Sequence, residues 1–376
     1  MAQATIRKVP FFVYPDIYQS DAAEIDETIR AVCSRGAFIM QRELEEFESN
    51  VAELVGVKHV IGMANATDAL HLAVRAAGIG PGDEVIFSSH TMVATPAAVH
   101  YAGATPIPVE CGEDHLIDAD AVRAAITENT KAIMPTQLNG RTAAMDPIVA
   151  LAEQHGLMIL EDAAQALGSR YKGQAAGSFG LGGCISFYPA KTLGCLGDGG
   201  CWLTNDDHMN DQLRLLRDHG RDSSGDVSVW GLNSRLDNVQ AAILNIKLKR
   251  YPEAITRRRE IASLYDSMLR DVPGLKLPPA PTSDGEHFDI FQNYEIEAED
   301  RTELRAYLSE RGIGSLIPWG GKATHQFDKL GFHQSLPFTE RLFERVLMIP
   351  LNTSMTDEDV VHVAQTITQF YQDKDF

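Results

Sequence analysis

Two residues of opposite chemistry close separate strand-like runs in this chain. Asp162 ends the run LMILED, and Lys191 lies in SFYPAKTLGCLGDGG, where an apolar run gives way to a glycine-rich loop. A carboxylate at the carboxyl end of a strand in an α/β sheet faces the edge where ligands bind. A lysine in a tight, partly dry turn loses its proton readily and attacks carbonyl carbon. Each alone has an ordinary reading: Asp162 as a cap of the following helix, Lys191 as a solvated loop lysine. Together they fit pyridoxal 5'-phosphate (PLP), whose aldehyde needs an amine and whose ring nitrogen needs a carboxylate to keep it protonated. The glycines around Lys191 allow backbone to approach a flat cofactor closely.

Other polar residues are placed to assist. ANATDALHLA (64–73) opens a helix directly after a strand, so N–H groups and the hydroxyl near Thr67 and Asp68 can hold a phosphate at the positive helix end. An ordinary Thr N-cap with Asp68 in the first turn gives the same sequence. Ser186 could add a hydroxyl to that phosphate or simply bond to backbone. Asn233 and Arg235 precede a long helical run and could cap it or reach a neighbouring subunit.

The elements that must position these residues alternate in type. HVIGMA (59–64), PGDEVIFSS (81–89), TPIPVE (105–110), KAIMPTQL (131–138), LMILEDAA (157–164), CISFYP (184–189) and GCWLTN (200–205) read as strands. Helical patterns cover 21–34, 43–55, 67–78 and 146–156. The alternation predicts βαβ units around a largely parallel sheet. Residues 234–270 read as almost continuously helical, and the Pro-, Gly- and acid-rich stretch 272–289 marks a boundary. A strand (291–298) and helices (301–312 and 356–372) follow. The chain therefore divides into an N-terminal segment plus large cofactor-binding domain, 1–250, and a small C-terminal domain, 251–376.

Composition narrows the function classes. A formal net charge of −19 repels nucleic acid and anionic membranes. The polar stretch after Met1 is unlike a signal peptide, and no apolar run is long enough to span a bilayer. Five cysteines without a C-x-x-C pair suit free thiols in a reducing cytoplasm. No metal-ligand spacing is evident. No G-x-G-x-x-G follows a first strand, which argues against a nicotinamide-dependent oxidoreductase.

In order and spacing, FIMQRELEEFE (38–48), NATDALHLA (65–73), PGDEVI (81–86), EDAAQALGS (161–169), SFYPAKTLGCLGDGG (186–200), RDHGR (217–221) and GLNSRLDNVQAA (231–242) resemble the DegT/DnrJ/StrS nucleotide-sugar aminotransferases, which are fold type I PLP enzymes. The resemblance implies an α/β, three-layer αβα, aspartate aminotransferase-like large domain with a mostly parallel sheet, and a smaller α+β domain. It implies that Lys191 is the Schiff-base lysine and proton shuttle and that Asp162 partners the ring nitrogen. Gln165 would contact the ring hydroxyl, and Thr67, Asp68 and Ser186 would cradle the phosphate. Asn233 would reach that phosphate from the second subunit of a homodimer with shared active sites.

The implied reaction moves nitrogen from L-glutamate, through the pyridoxamine form of the cofactor, to a nucleotide-linked keto-deoxysugar. Carbon 4 is the first expectation and carbon 3 the second, and the amino sugar would serve a surface polysaccharide such as lipopolysaccharide. Alternatives are a PLP-dependent sugar dehydratase on the same scaffold, or a regulatory protein without turnover. Departures from the family pattern sit near the expected substrate. Met92 stands where an aromatic residue usually covers the ring, and its thioether can do the same. Gln137 replaces a usual His. The loop IPWGGKATHQF (317–327) matches only at His325, and Trp319 and Lys322 have no counterpart. Arg235, Arg221 and Lys322 are the candidate cations for the substrate's diphosphate.

Overall fold

A computed structural model describes residues 6–282 and 285–374. The start of the polar stretch after Met1 and the centre of the Pro- and acid-rich boundary stretch lie outside the described residues.

Seven runs form one sheet in the order Thr105–Val109, Glu84–Ser88, Thr130–Met134, 158–162, Gly183–Ser186, Gly200–Thr204 and His59–Met63. The run 158–162 joins the two halves: Leu160 and Asp162 donate backbone hydrogen bonds to Ile133 and Pro135, while Glu161 donates to Gly182. Only Gly200–Thr204 runs against the others, pairing antiparallel with both of its neighbours. Alternate side chains leave the sheet on opposite faces. Val85, Phe87, Met134, Leu160 and Trp202 pack under helices Ala66–Ala76, Ala94–Tyr101 and Asp207–Leu216. Ile86, Ile133 and Ile159 meet helices Ala119–Ala125 and Met145–His155, and Val60, Ile185 and Leu203 meet Arg42–Val55 and Asn238–Leu248. Burying each such side chain contributes about 1.5–3 kcal/mol. The sheet is therefore the stiff layer between two helical layers, as the alternating pattern predicts.

The helical stretch expected over 234–270 is divided. It forms Asn238–Leu248 and Tyr251–Leu269, with Pro252 in the first turn of the second helix. Proline supplies no N–H for a continuing helix and suits a new first turn. The second helix backs an antiparallel sheet, Leu275–Lys276, Tyr294–Ala298 and Val346–Ile349, with helix Asp357–Gln372 beside it. Val9 exchanges backbone hydrogen bonds with Gly312 and Gly314 and is buried in this C-terminal core. Val9 and the helix Asp357–Gln372 thus share one core. From there the N-terminal segment runs past the carboxyl edge of the main sheet.

Gly200 marks a tight approach of the sheet to the helix Ala66–Ala76. A Cβ there would stand 2.5 Å from the Ala66 nitrogen and from the Asn65 carbonyl carbon, both of them backbone. Gly200→Ala is expected to destabilise the protein by roughly 1–3 kcal/mol. Chemical denaturation reads this, and an unchanged unfolding midpoint would contradict it.

Candidate active site

The carboxyl ends of the parallel strands and the C-terminal subdomain enclose a cavity of about 820 Å³. Asp162 and Lys191 both line it.

Asp162 is 4% exposed, at the end of its strand. Its carboxylate is held by a set of donors. Thr95 Oγ1 donates to Oδ2 at 2.6 Å, the Ala164 amide donates to Oδ1 at 3.2 Å, and the Cys184 thiol lies 3.5 Å from Oδ1. A chain of hydroxyls extends outward from Thr95. Thr136 donates to Thr91 at 2.9 Å, and Thr91 lies 2.7 Å from Thr95. Because Thr95 spends its proton on Asp162, Thr91 must donate to Thr95, and the whole chain points toward the carboxylate.

Lys191 sits in a strapped loop. The Gln292 side chain accepts from the Thr192 amide at 2.8 Å and donates to the Ala190 carbonyl at 2.9 Å, gripping both neighbours of the lysine. Thr192 Oγ1 meets Tyr251 Oη at 2.8 Å, and the Tyr251 hydroxyl donates to the Leu167 carbonyl. Gly194 is needed in this loop, since a Cβ there would come within 2.5 Å of the Pro189 carbonyl oxygen. Burial lowers the pKa of the Lys191 ammonium from its ordinary value, although the nearby Asp162 and Cys184 favour the charged form. Loss of solvation therefore outweighs the attraction, and the amine is biased toward its nucleophilic state.

Thr67, Ser186, Gln165, Met92 and Trp319 also line the cavity. Met92 is 49% exposed at its mouth, and Gln165 accepts a hydrogen bond from the Asn139 amide. Several expected residues do not line it. The cap of helix Ala66–Ala76 is Asn65, whose side chain accepts from the Asp68 amide at 2.8 Å. That amide is already used, so the helix end offers the amides of Ala66 and Thr67 instead, and Asp68 lies off the cavity wall. His325 is buried away from it, bonded to Ser89 at 2.7 Å and facing Glu340 at 3.2 Å. Lys322 and Arg221 are exposed elsewhere, and Arg235 is paired with Asp218 at 2.6 Å. Asn233 is exposed outside the cavity of its own chain. Gln137, which stands where the family often has His, is fully buried and holds Glu161 at 2.6 Å.

The structure adds residues that the sequence pattern did not single out. Phe11, Phe12 and Tyr14, from the aromatic run FFVYP, form part of the wall with Tyr188. Arg258 also lines the cavity, is 4% exposed and donates to the carbonyls of Phe291, Gln292 and Leu351. No carboxylate pairs with it among the described residues. Burial lowers its pKa to about 10, so it stays charged at neutral pH.

The sequence model of the DegT/DnrJ/EryC1/StrS aminotransferase family matches residues 19–368. The chain belongs to that family. It is similar to dTDP-3-amino-3,4,6-trideoxy-alpha-D-glucose transaminase of Streptomyces venezuelae, 38% identical over 98% of both chains. It is also similar to UDP-N-acetyl-3-dehydro-alpha-D-glucosamine 3-aminotransferase of Acidithiobacillus ferrooxidans, 40% identical over 92% of this chain and 93% of that one. Among solved structures, S. venezuelae DesV in complex with a ketimine intermediate superposes with a TM-score of 0.92, at 38% identity over 97% of this chain and 98% of that one.

As a DegT-family member the protein is an aminotransferase with the fold type I architecture, and PLP is its cofactor. The residues on the cavity wall fit that group. A desolvated amine, a fixed carboxylate and the amides of a helix N-terminus face one space, matching an aldehyde, a ring nitrogen and a phosphate.

The donor chain yields a stability test. Thr95→Val removes a charged acceptor's closest donor and is expected to cost about 1–3 kcal/mol. Thr136→Val, at the far end, is expected to cost less. Denaturation midpoints showing the opposite order would refute the direction assigned to the chain.

Proposed function

We propose that this enzyme transfers the amino group of L-glutamate to the keto carbon of a nucleotide-linked deoxysugar, working as a homodimer. The observation that carries the catalytic reading is that Lys191 and Asp162 line one cavity. Lys191 would hold the cofactor covalently through Nζ. Once an incoming amine displaces it, the same nitrogen would move a proton between the carbon that loses nitrogen and the carbon that gains it. Asp162 would hold the proton on the ring nitrogen. Its carboxylate is oriented for this by Thr95 and the Ala164 amide. The cofactor, when bound, supplies the electron sink for breaking the C–H bond. Thr67, the helix N-terminus and Ser186 would hold its phosphate, Gln165 its ring hydroxyl, and Met92 would cover one face of the ring.

Two features support a sizeable anionic substrate. Arg258 puts a buried positive charge on the wall without a carboxylate partner among the described residues, which suits the carboxylate of the amino donor or a diphosphate. The cavity's volume of about 820 Å³ also lies in the upper part of the range for small-molecule sites. Both sugar-nucleotide relatives described above carry position 3 in their names. That moves the proposal from carbon 4 to carbon 3.

The dimer reading rests on exposed apolar surface around Asn233. Trp230 is 90% exposed, with Val227 and Val229 beside it in sequence. Phe38, Ile39 and Met40 are also exposed, and Ile39 bridges to Asp237. Apolar patches of this kind mark interfaces, and this one would carry Asn233 to the partner's cofactor phosphate.

Lys191→Ala is expected to abolish the visible absorbance of the bound cofactor and to lower turnover by at least 10²–10⁴-fold, the usual contribution of a positioned acid–base group. Asp162→Asn should keep the fold and lose activity on a similar scale. Transamination is followed as 2-oxoglutarate released from glutamate with dTDP- or UDP-linked 3-keto and 4-keto sugars. Near-normal turnover by either variant would defeat its assigned role, and a preference for 4-keto sugars would defeat the choice of carbon 3.

A further inference from the structure

Away from the cofactor cavity, side chains from three distant stretches converge where the sheet body meets the C-terminal subdomain. His90 follows the strand Glu84–Ser88. His115 sits at a left-handed turn, φ 67°, between the bridged residues Cys111 and Ile117. Glu295 belongs to the strand Tyr294–Ala298. One ligand atom from each lies within 4.8 Å of the others. His90 Nε2 is 3.5 Å from Glu295 Oε2, and His115 Nδ1 is 2.8 Å from Glu295 Oε1. His90 is 1% exposed and Glu295 2%. Neither ring nitrogen of His90 makes a well-aligned hydrogen bond, and neither does Glu295 Oε2: their one close contact is the 3.5 Å pairing of His90 Nε2 with Glu295 Oε2, and the Cys111 thiol also faces the His90 ring. Buried polar atoms normally make well-formed hydrogen bonds, so atoms at one point that meet only in a long contact ask for an explanation.

We propose that His90, His115 and Glu295 bind a divalent transition-metal ion of the zinc class. Two imidazoles with one carboxylate suit zinc and its neighbours, whereas magnesium and calcium take oxygen ligands. Metal–ligand bonds of roughly 2.0–2.2 Å in a tetrahedron place ligand atoms about 3.3–3.6 Å apart. The separation between His90 and Glu295 already matches. His115 Nδ1 would exchange its contact with Glu295 for the ion. Its other nitrogen, Nε2, stands 3.2 Å from Glu297 Oε1. A carboxylate on the far nitrogen fixes the tautomer that leaves the near one a lone pair, as metal-binding histidines usually require. Lys276 in turn holds Glu297 at 2.9 Å.

Access is available as well. A surface cavity is lined by His115 and Glu295 together with Glu113 and Asp114. Acidic groups at such a mouth draw cations in. The ion would fasten the loop that continues from His90 to Met92 onto the strand that follows Asn293, and both Met92 and Asn293 line the cofactor cavity. Its role would thus be to hold the two structural units in register.

Two protonated imidazoles would balance the same two carboxylates, so metal content decides the matter. Tag-free full-length protein is analysed by mass spectrometry for bound metals. It is then stripped with chelator and titrated with Zn²⁺ and with Co²⁺. One ion per chain, a higher Tm with Zn²⁺ and visible d–d bands with Co²⁺ are expected. Glu297→Gln is expected to weaken binding by about 10–100-fold, the usual effect of losing an outer partner. His115→Gln, which changes a partly exposed side chain, and Glu295→Gln should each weaken it further. Wild-type protein with only trace metal, no Tm shift and no d–d bands would overturn the proposal and leave a proton-held ion-pair network. So would binding that is undiminished in both ligand variants.

Discussion

A lysine amine deprived of water and a carboxylate fixed by its donors must share one cavity without collapsing into an ordinary ion pair. Close contact would return the proton to Lys191 and remove its nucleophilicity. The structure keeps the balance on the side of burial: the amine's pKa is lowered although Asp162 and Cys184 pull it upward. Asp162 is already occupied by Thr95, the Ala164 amide and the Cys184 thiol. Lys191 is held from outside by Gln292 and Tyr251 through its neighbours in the loop. A bound pyridine ring needs such an arrangement, with its two polar ends gripped by groups that are not gripping each other.

Both units of the fold contribute to that arrangement. The parallel strands end together, which places Asp162 and the strand preceding the Lys191 loop at one edge. Gln292 and Arg258 come from the C-terminal part of the chain, and Phe11, Phe12 and Tyr14 from its beginning. The burial of Val9 beside Ile313 explains how Phe11, Phe12 and Tyr14 reach the site. Relative movement of the two units would loosen the strap on Lys191, so contacts across their junction bear directly on the chemistry. The cluster of His90, His115 and Glu295 lies on that junction.

Much of this was legible in the sequence where periodicity or spacing carried it. Apolar alternation gave the strands of the main sheet, and the strand-end acid followed by a lysine loop gave the two central residues. The helix break at Lys249 and Arg250 was missed because both residues suit a helix, while the following Pro252 suits a first turn as well as a stop. His325 matched a motif but not the cavity, since Ser89 and Glu340 hold it within the protein. Asp68 was displaced because Asn65, not Thr67, caps the helix, and neighbouring polar residues compete for one amide. Arg258 and Gln292 carried no signal: an arginine in RRREIASLYDSML reads as helix surface, and only tertiary packing turns it inward. The His–His–Glu cluster draws on positions too far apart for any spacing rule to join them.

The central claim is that Lys191, among all the amines of the chain, meets the cofactor's aldehyde. Reduction of the PLP-loaded protein with borohydride, followed by digestion and mass spectrometry, makes that bond permanent and locates it. The account predicts one phosphopyridoxyl group per chain, on the peptide containing Lys191. A label on Lys247, Lys322 or another lysine, with Lys191 unmodified, would contradict it.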